Sequence, residues 1–139
     1  MLKNFYVTLL LCLAGIILVA CSNDEKYLTR VDVQPVVNVD AIEEEEMIVD
    51  LITLDSIQSL LEEVNWEPKS NPDVAGSEDL VATMFYSEEE RSPDELYLYR
   101  IWFNSDDTLS IISNNEDEGY GTLNEEYADK LKDLLESYF

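Results

Sequence analysis

Residues 27–33, Tyr-Leu-Thr-Arg-Val-Asp-Val, alternate apolar and polar positions and are rich in β-branched side chains, the pattern of a half-buried strand. Pro35 ends that strand or marks a sheet edge, because proline cannot donate to a ladder. Residues 36–39 continue it after a bend, and residues 47–52 make a second strand. Asp55 then stands where a helix N-cap belongs. Ile57, Leu60, Leu61 and Val64 follow at helical spacing, with Glu62 and Glu63 on the wet side, and Pro68 stops the helix. Trp66 lies just past the helix end, where its bulk closes the core. Residues 67–78 hold prolines and a glycine and read as a loop. Residues 79–86 form a strand and residues 87–94 a polar turn. Residues 95–104 are the strongest strand of the chain, and residues 108–113 return after a tight connection at 104–107. Three runs with short polar links predict an antiparallel meander.

A closing helix follows. Asn124 is its N-cap, Glu125 and Glu126 occupy the positive first turn, and Leu123 packs on Ala128 as a staple. Tyr127, Leu131, Leu134, Leu135 and Tyr138 form its apolar stripe. The order β-β-α-β-β-β-α predicts an α+β fold, a mainly antiparallel sheet with two packed helices, as one domain over residues 27–139.

The start of the chain follows a different pattern. After Lys3, residues 5–20 are uncharged and apolar, and they end in Leu18-Val19-Ala20-Cys21 before a polar run, residues 22–26. A basic start, an apolar stretch and a small residue before the cleavage point make a secretory signal peptide. Cysteine directly after the small residue makes it a bacterial lipoprotein signal. Residues 1–20 are thus expected to be removed after Ala20, the Cys21 thiol to carry a diacylglycerol, and residues 21–26 to form a tether. A spanning helix would need about 20 apolar residues with charge at both ends. The expected location is extracytoplasmic, anchored to the bacterial membrane through Cys21.

Composition narrows the chemistry. The chain has 31 acidic and 8 basic residues, a formal net charge of −23, and no histidine. Loss of Lys3 with the signal would make the remainder one unit more negative. The second cysteine, Cys12, lies in the signal, so the folded part has neither free thiol nor imidazole. Ser-His-Asp and Cys-His nucleophile systems are therefore excluded, as are zinc sites of Cys and His. Nucleic acid is not an expected partner, since a polyanion is bound through Lys and Arg.

Residues 114–125 can be tested as a calcium loop. Asn114, Glu116, Glu118 and Glu125 fall at positions 1, 3, 5 and 12 of an EF-hand, with Gly119 at the sharp turn. Against it, the first ligand is a neutral Asn, the glutamates are longer than the usual ligands, and the segment before is a strand where an EF-hand has a helix. No metal site and no cofactor are expected. In the strand of residues 96–103, Tyr97 and Tyr99 share a face that could meet a peptide or glycan, or else be covered by other elements. Paired carboxylates carry no catalytic information among so many acids, and a small domain has little room for a cleft.

Trp66-Glu67-Pro68, Asp73-Val74-Ala75 with Asp79-Leu80, Tyr99-Arg100-Ile101-Trp102, and Tyr120, Leu123, Ala128, Leu131 and Lys132 carry a resemblance to the small YhfM-type lipoproteins of Bacillus and relatives. It spans residues 46–135 and implies a lipid-anchored α+β domain. It brings no catalytic residue, and the acidity of this chain departs from that group. The sequence thus leads to a non-enzymatic binding or interaction module of the cell envelope. Its expected partners are the membrane, through the lipid, and an envelope protein, peptide or glycan. The alternatives are a calcium-binding or ion-buffering surface lipoprotein and a small carboxylate-dependent envelope hydrolase.

Overall fold

A computed structural model describes residues 26–37, 44–88 and 93–139. The signal, Ala20, Cys21 and residues 22–25 of the tether lie outside the described residues, as do residues 38–39 and residues 89–92 of the polar turn. Among the described residues no helix is long and apolar enough to cross a membrane.

The elements are β1 (Tyr27–Pro35), β2 (Glu46–Ile48), α1 (Leu51–Glu62), β3 (Asn65–Glu67), β4 (Leu80–Ser87), β5 (Glu95–Phe103), β6 (Leu109–Ser113), β7 (Tyr120–Leu123) and α2 (Glu125–Glu136). The strands form one seven-stranded sheet in the order β2-β1-β4-β5-β6-β7-β3, and every strand pair is antiparallel. The fold is α+β, with two helices on one side of an antiparallel sheet. Their shared core holds Val31, Val33, Met84, Ile101 and Ile111 from the sheet and Leu54, Ile57, Leu131 and Leu135 from the helices, all buried. Each such side chain contributes roughly 1.5–3 kcal/mol by leaving water.

Three expectations are corrected. The second strand is short: β2 ends at Ile48, and Leu51 already begins α1. The N-cap is Asp50, not Asp55. The Asp50 carboxylate accepts from the Thr53 amide at 2.9 Å and its hydroxyl at 2.8 Å. Asp55 lies a turn later on the exposed face of α1. Leu51 and Ile52 read as strand because they are apolar, yet both are 79% exposed on the first turn.

Two further strands, β3 and β7, stand where the sequence pattern predicts none. β3 carries Trp66 and pairs with β7, Trp66 opposite Gly121. Both are too short to show alternation. A side chain at 121 would collide with its neighbours: a Cβ there would meet Val64 Cγ1 at 2.5 Å and the Trp66 ring at 2.6 Å. At the C-terminal helix the reading and the structure agree. The Asn124 side chain caps Tyr127 N–H, and Leu123 and Ala128 are both buried.

Candidate functional site

The β5–β6 ladder sets Tyr99 directly opposite Ser113 on the helix-covered face of the sheet. Beyond Ser113 the chain turns tightly. Asn115 N donates to Ser113 Oγ at 3.0 Å, and Glu118 N and Gly119 N donate to the Asn115 carbonyl at 3.0 and 2.9 Å. Gly119 closes the turn at φ +67°, and a Cβ there would lie 2.5 Å from the Glu67 carbonyl oxygen, so glycine is required.

This turn brings Glu118 back toward the sheet. Its Oε2 accepts from Tyr99 Oη at 2.6 Å and from Ser113 Oγ at 2.6 Å. Hydrogen bonds to an ionised acceptor are short and strong, so the carboxylate is held in one place. Oε1 takes no hydrogen bond from any described residue. Glu118 is half-buried and borders a cavity of about 320 Å³.

Trp66, Tyr86 and Tyr97 make the cavity's aromatic wall, and Gln58 and Glu62 of α1 face them. Trp66 meets Tyr99 edge-on at 6.1 Å between ring centres, and Tyr86 lies tilted at 5.9 Å from Tyr97. At the rim, Glu95 Oε2 accepts from Lys26 Nζ at 2.6 Å and Tyr97 Oη at 2.7 Å. Burial pushes the Tyr86 phenol up to about 12. Burial raises the Tyr99 phenol further, helped by Tyr86 and the Glu118 carboxylate. Both phenols therefore keep their protons at neutral pH.

The residues singled out from the sequence are distributed unevenly here. Tyr97 lines the cavity. Tyr99 is fully buried under the helices and Trp66, so it faces no ligand directly and reaches the cavity only through Glu118. The open face of β5 instead carries Leu96, Leu98 and Arg100. The four calcium candidates are not gathered. Asn114 Oδ1 accepts from Leu98 N at 2.8 Å, Glu118 is held as above, and Glu125 opens α2 beyond β7. Among the described residues no group of three or more acidic, His or Cys side chains is placed to hold a metal ion. Sequence reasoning missed Glu118 as a held carboxylate, Gln58 and Tyr86. The only available signal was an acid before a turn glycine, and acids are too common in this chain for that to stand out.

Among solved structures the chain is similar in fold to a thioesterase-like protein from Clostridium sporogenes. The TM-score is 0.51 at 16% identity, over 78% of this chain and 94% of that one. No protein-family model matches the chain, and no curated protein matches it. The likeness is one of fold. It corrects the expectation of a non-enzymatic binding module, which rested on the lack of a histidine- or cysteine-based nucleophile or metal set and on a small domain having little room for a cleft. The cavity beside Glu118 is such a cleft, on a fold that a thioesterase-like protein also has.

Proposed function

We propose that the domain is a carboxylate-dependent hydrolase of acyl esters or thioesters, with Glu118 as its general base. The observation that carries this reading is the half-buried Glu118 carboxylate. Two hydroxyls fix one of its oxygens, and the residue stands at the edge of an aromatic-walled cavity. The fold likeness supports it.

In this mechanism Glu118 Oε1 takes a proton from a water molecule as the water oxygen bonds to the acyl carbon. The carbonyl oxygen gains negative charge and needs a donor. Asn115 is placed for this, because its Oδ1 is occupied by Asp117 N–H at 3.1 Å and its NH₂ is unengaged. The tetrahedral species collapses by breaking the bond to the leaving oxygen or sulfur. That atom takes the proton back from Glu118. The products are a carboxylic acid and an alcohol or thiol. Tyr99 and Ser113 are positioning residues. Trp66, Tyr86 and Tyr97 would take an apolar acyl group, and Glu62, Asp117 and Glu118 around the cavity disfavour anionic substrates.

The test uses p-nitrophenyl butyrate and S-butyryl-N-acetylcysteamine. General-base catalysis contributes roughly 10²–10⁴-fold. Glu118→Gln should lose about that factor in kcat while keeping its fold. A wild-type chain with no turnover above background on either compound, or an equally active Glu118→Gln, overturns the reading.

We further propose that this hydrolase is lipid-anchored and extracytoplasmic. Support comes from the box at residues 18–21 and from the resemblance to YhfM-type lipoproteins. Labelled fatty acid should enter the wild-type chain and not Cys21→Ser. Equal labelling of both sinks the anchor.

A further inference from the structure

On the sheet face opposite Glu118 lies a second cavity, of about 670 Å³, between the loop that begins at Lys69 and the β6–β7 turn. Its floor is Leu98 and Ile112, and its wall carries two cations, Lys69 and Arg100, against one acid, Glu116, in a chain that has only 8 basic residues against 31 acids. A smaller cavity of about 240 Å³ continues it past Trp102, sharing Asn71, Arg100 and Ile112. The combined size is that of a small-molecule site.

Among the described cations, Lys69 and Lys132 alone make no ion pair, and Lys132 lies over the Phe103 ring instead. Lys26, Arg30 and Lys130 pair with Glu95, Asp32 and Glu126. Lys69 has no ion pair or side-chain hydrogen bond with any described residue. Its backbone is in the left-handed region, φ +61°, which a non-glycine residue adopts at a cost. Two main-chain bonds hold it there, Lys69 N to Glu116 O and Ser70 N to Glu67 O, both 3.1 Å. Arg100 spends one nitrogen on Glu78 at 2.9 Å and leaves other N–H groups of its fork unpaired. Asn114 uses its Oδ1 on Leu98 N and keeps its NH₂ free.

Unpaired donors above an apolar floor fit an anion with an apolar body. The formal charge of −23 repels multiply charged anions more than singly charged ones, which favours a monoanion. A planar guanidinium fork matches a carboxylate. We propose that this groove binds a small monocarboxylate with an apolar tail. Lys69 and Arg100 hold the carboxylate, and Leu98 and Ile112 take the tail. The site does not depend on the hydrolase reading, since none of these four residues borders the Glu118 cavity.

Calorimetric titration of the full chain with sodium octanoate, below micelle formation and at fixed ionic strength, tests this. Saturable binding of one octanoate per chain is expected, weakened at least tenfold in Lys69→Gln and unaffected in Glu118→Gln. Leu98→Ser should weaken octanoate and leave acetate unchanged, which isolates the tail contact should Lys69→Gln fail to fold. Octan-1-ol should not compete, and neither should inorganic phosphate. Absence of saturable binding, an unchanged affinity in Lys69→Gln, or displacement of octanoate by phosphate or octan-1-ol at equal concentration overturns the proposal.

Discussion

Tyr99 and Ser113 face each other across the β5–β6 ladder and send both hydroxyls to a single oxygen of Glu118. Loss of either hydroxyl has a cost, because the carboxylate is half-buried and has little water to replace a lost donor. A hydrogen bond to a charged group contributes about 1.5–3 kcal/mol. Tyr99→Phe and Ser113→Ala should each lower stability by about that amount. When one donor is gone the other still serves the same oxygen. The double variant should therefore cost more than the sum of the single ones. Urea denaturation of the four proteins measures the coupling, and additivity within about 0.5 kcal/mol would show that the two bonds act independently.

Gly119 in the turn, Gly121 in β7 and Gly76 in the loop before β4 rank by what surrounds them. Gly119→Ala places a Cβ 2.5 Å from a backbone oxygen at φ +67°, so neither strain nor clash can relax. Gly121→Ala meets side-chain atoms of Val64 and Trp66, which can shift. Overpacking of that kind costs roughly 1–3 kcal/mol. Gly76→Ala has φ +84° and open space, leaving only backbone strain of about 1 kcal/mol. Thermal midpoints should fall in the order Gly119, Gly121, Gly76, largest loss first. A Gly119→Ala protein as stable as Gly76→Ala would contradict the geometry of the turn.

Alkaline pH should unfold the domain through its buried phenols. Tyr86 titrates near 10 in the unfolded chain and at about 12 in the folded one. The unfolded state loses its proton first. The stability this phenol contributes is therefore complete below about pH 10 and falls as pH rises toward 12. Tyr99, shifted in the same direction, adds to the loss. Urea midpoints followed alongside tyrosinate absorbance should fall in that window, and Tyr86→Phe should flatten the fall. A flat wild-type profile would mean that the phenols are not buried as described.

Two aspartates separate the competing starts of α1. Asp50→Ala should lower the thermal midpoint, because it removes both bonds to Thr53. Asp55→Ala should have a small effect, since its side chain is exposed one turn later. Those same bonds hold the Asp50 carboxyl below its usual range, so the cap is present at neutral pH and is lost as acid protonates it. The reverse ranking of the two variants would restore Asp55 as the cap.

Strong periodicity carried most of the fold. The run at 95–104, the helical stripe through Leu61 and the capped C-terminal helix are legible because each repeats its pattern over several turns or pleats. β3 and β7 were not, because three or four residues show no period and Gly121 contributes no side chain. Leu51 and Ile52 misled for the opposite reason: they are apolar without being buried. The site was largely hidden. Tyr97 and Trp66 stood out as large aromatics, but Glu118 gains its distinction only from a register that pairs Tyr99 with Ser113, and register is a long-range property.

The pairing of β3 with β7 also governs when this chain can become a folded protein. β4 to β7 form a local meander that can assemble by itself from neighbouring hairpins. β3, however, is made more than fifty residues before β7, its only partner among the described strands, and α1 leads to it from the far edge of the sheet. During synthesis from the N-terminus, β3 must wait unpaired until residues 120–123 emerge, and α1 lacks the C-terminal helix that packs against it until later still. A nascent chain halted before residue 120 would have every residue of β1 through β6 and still lack the strand that seats Trp66. Protease resistance of such truncated chains should therefore appear abruptly at the end of the chain rather than grow with its length.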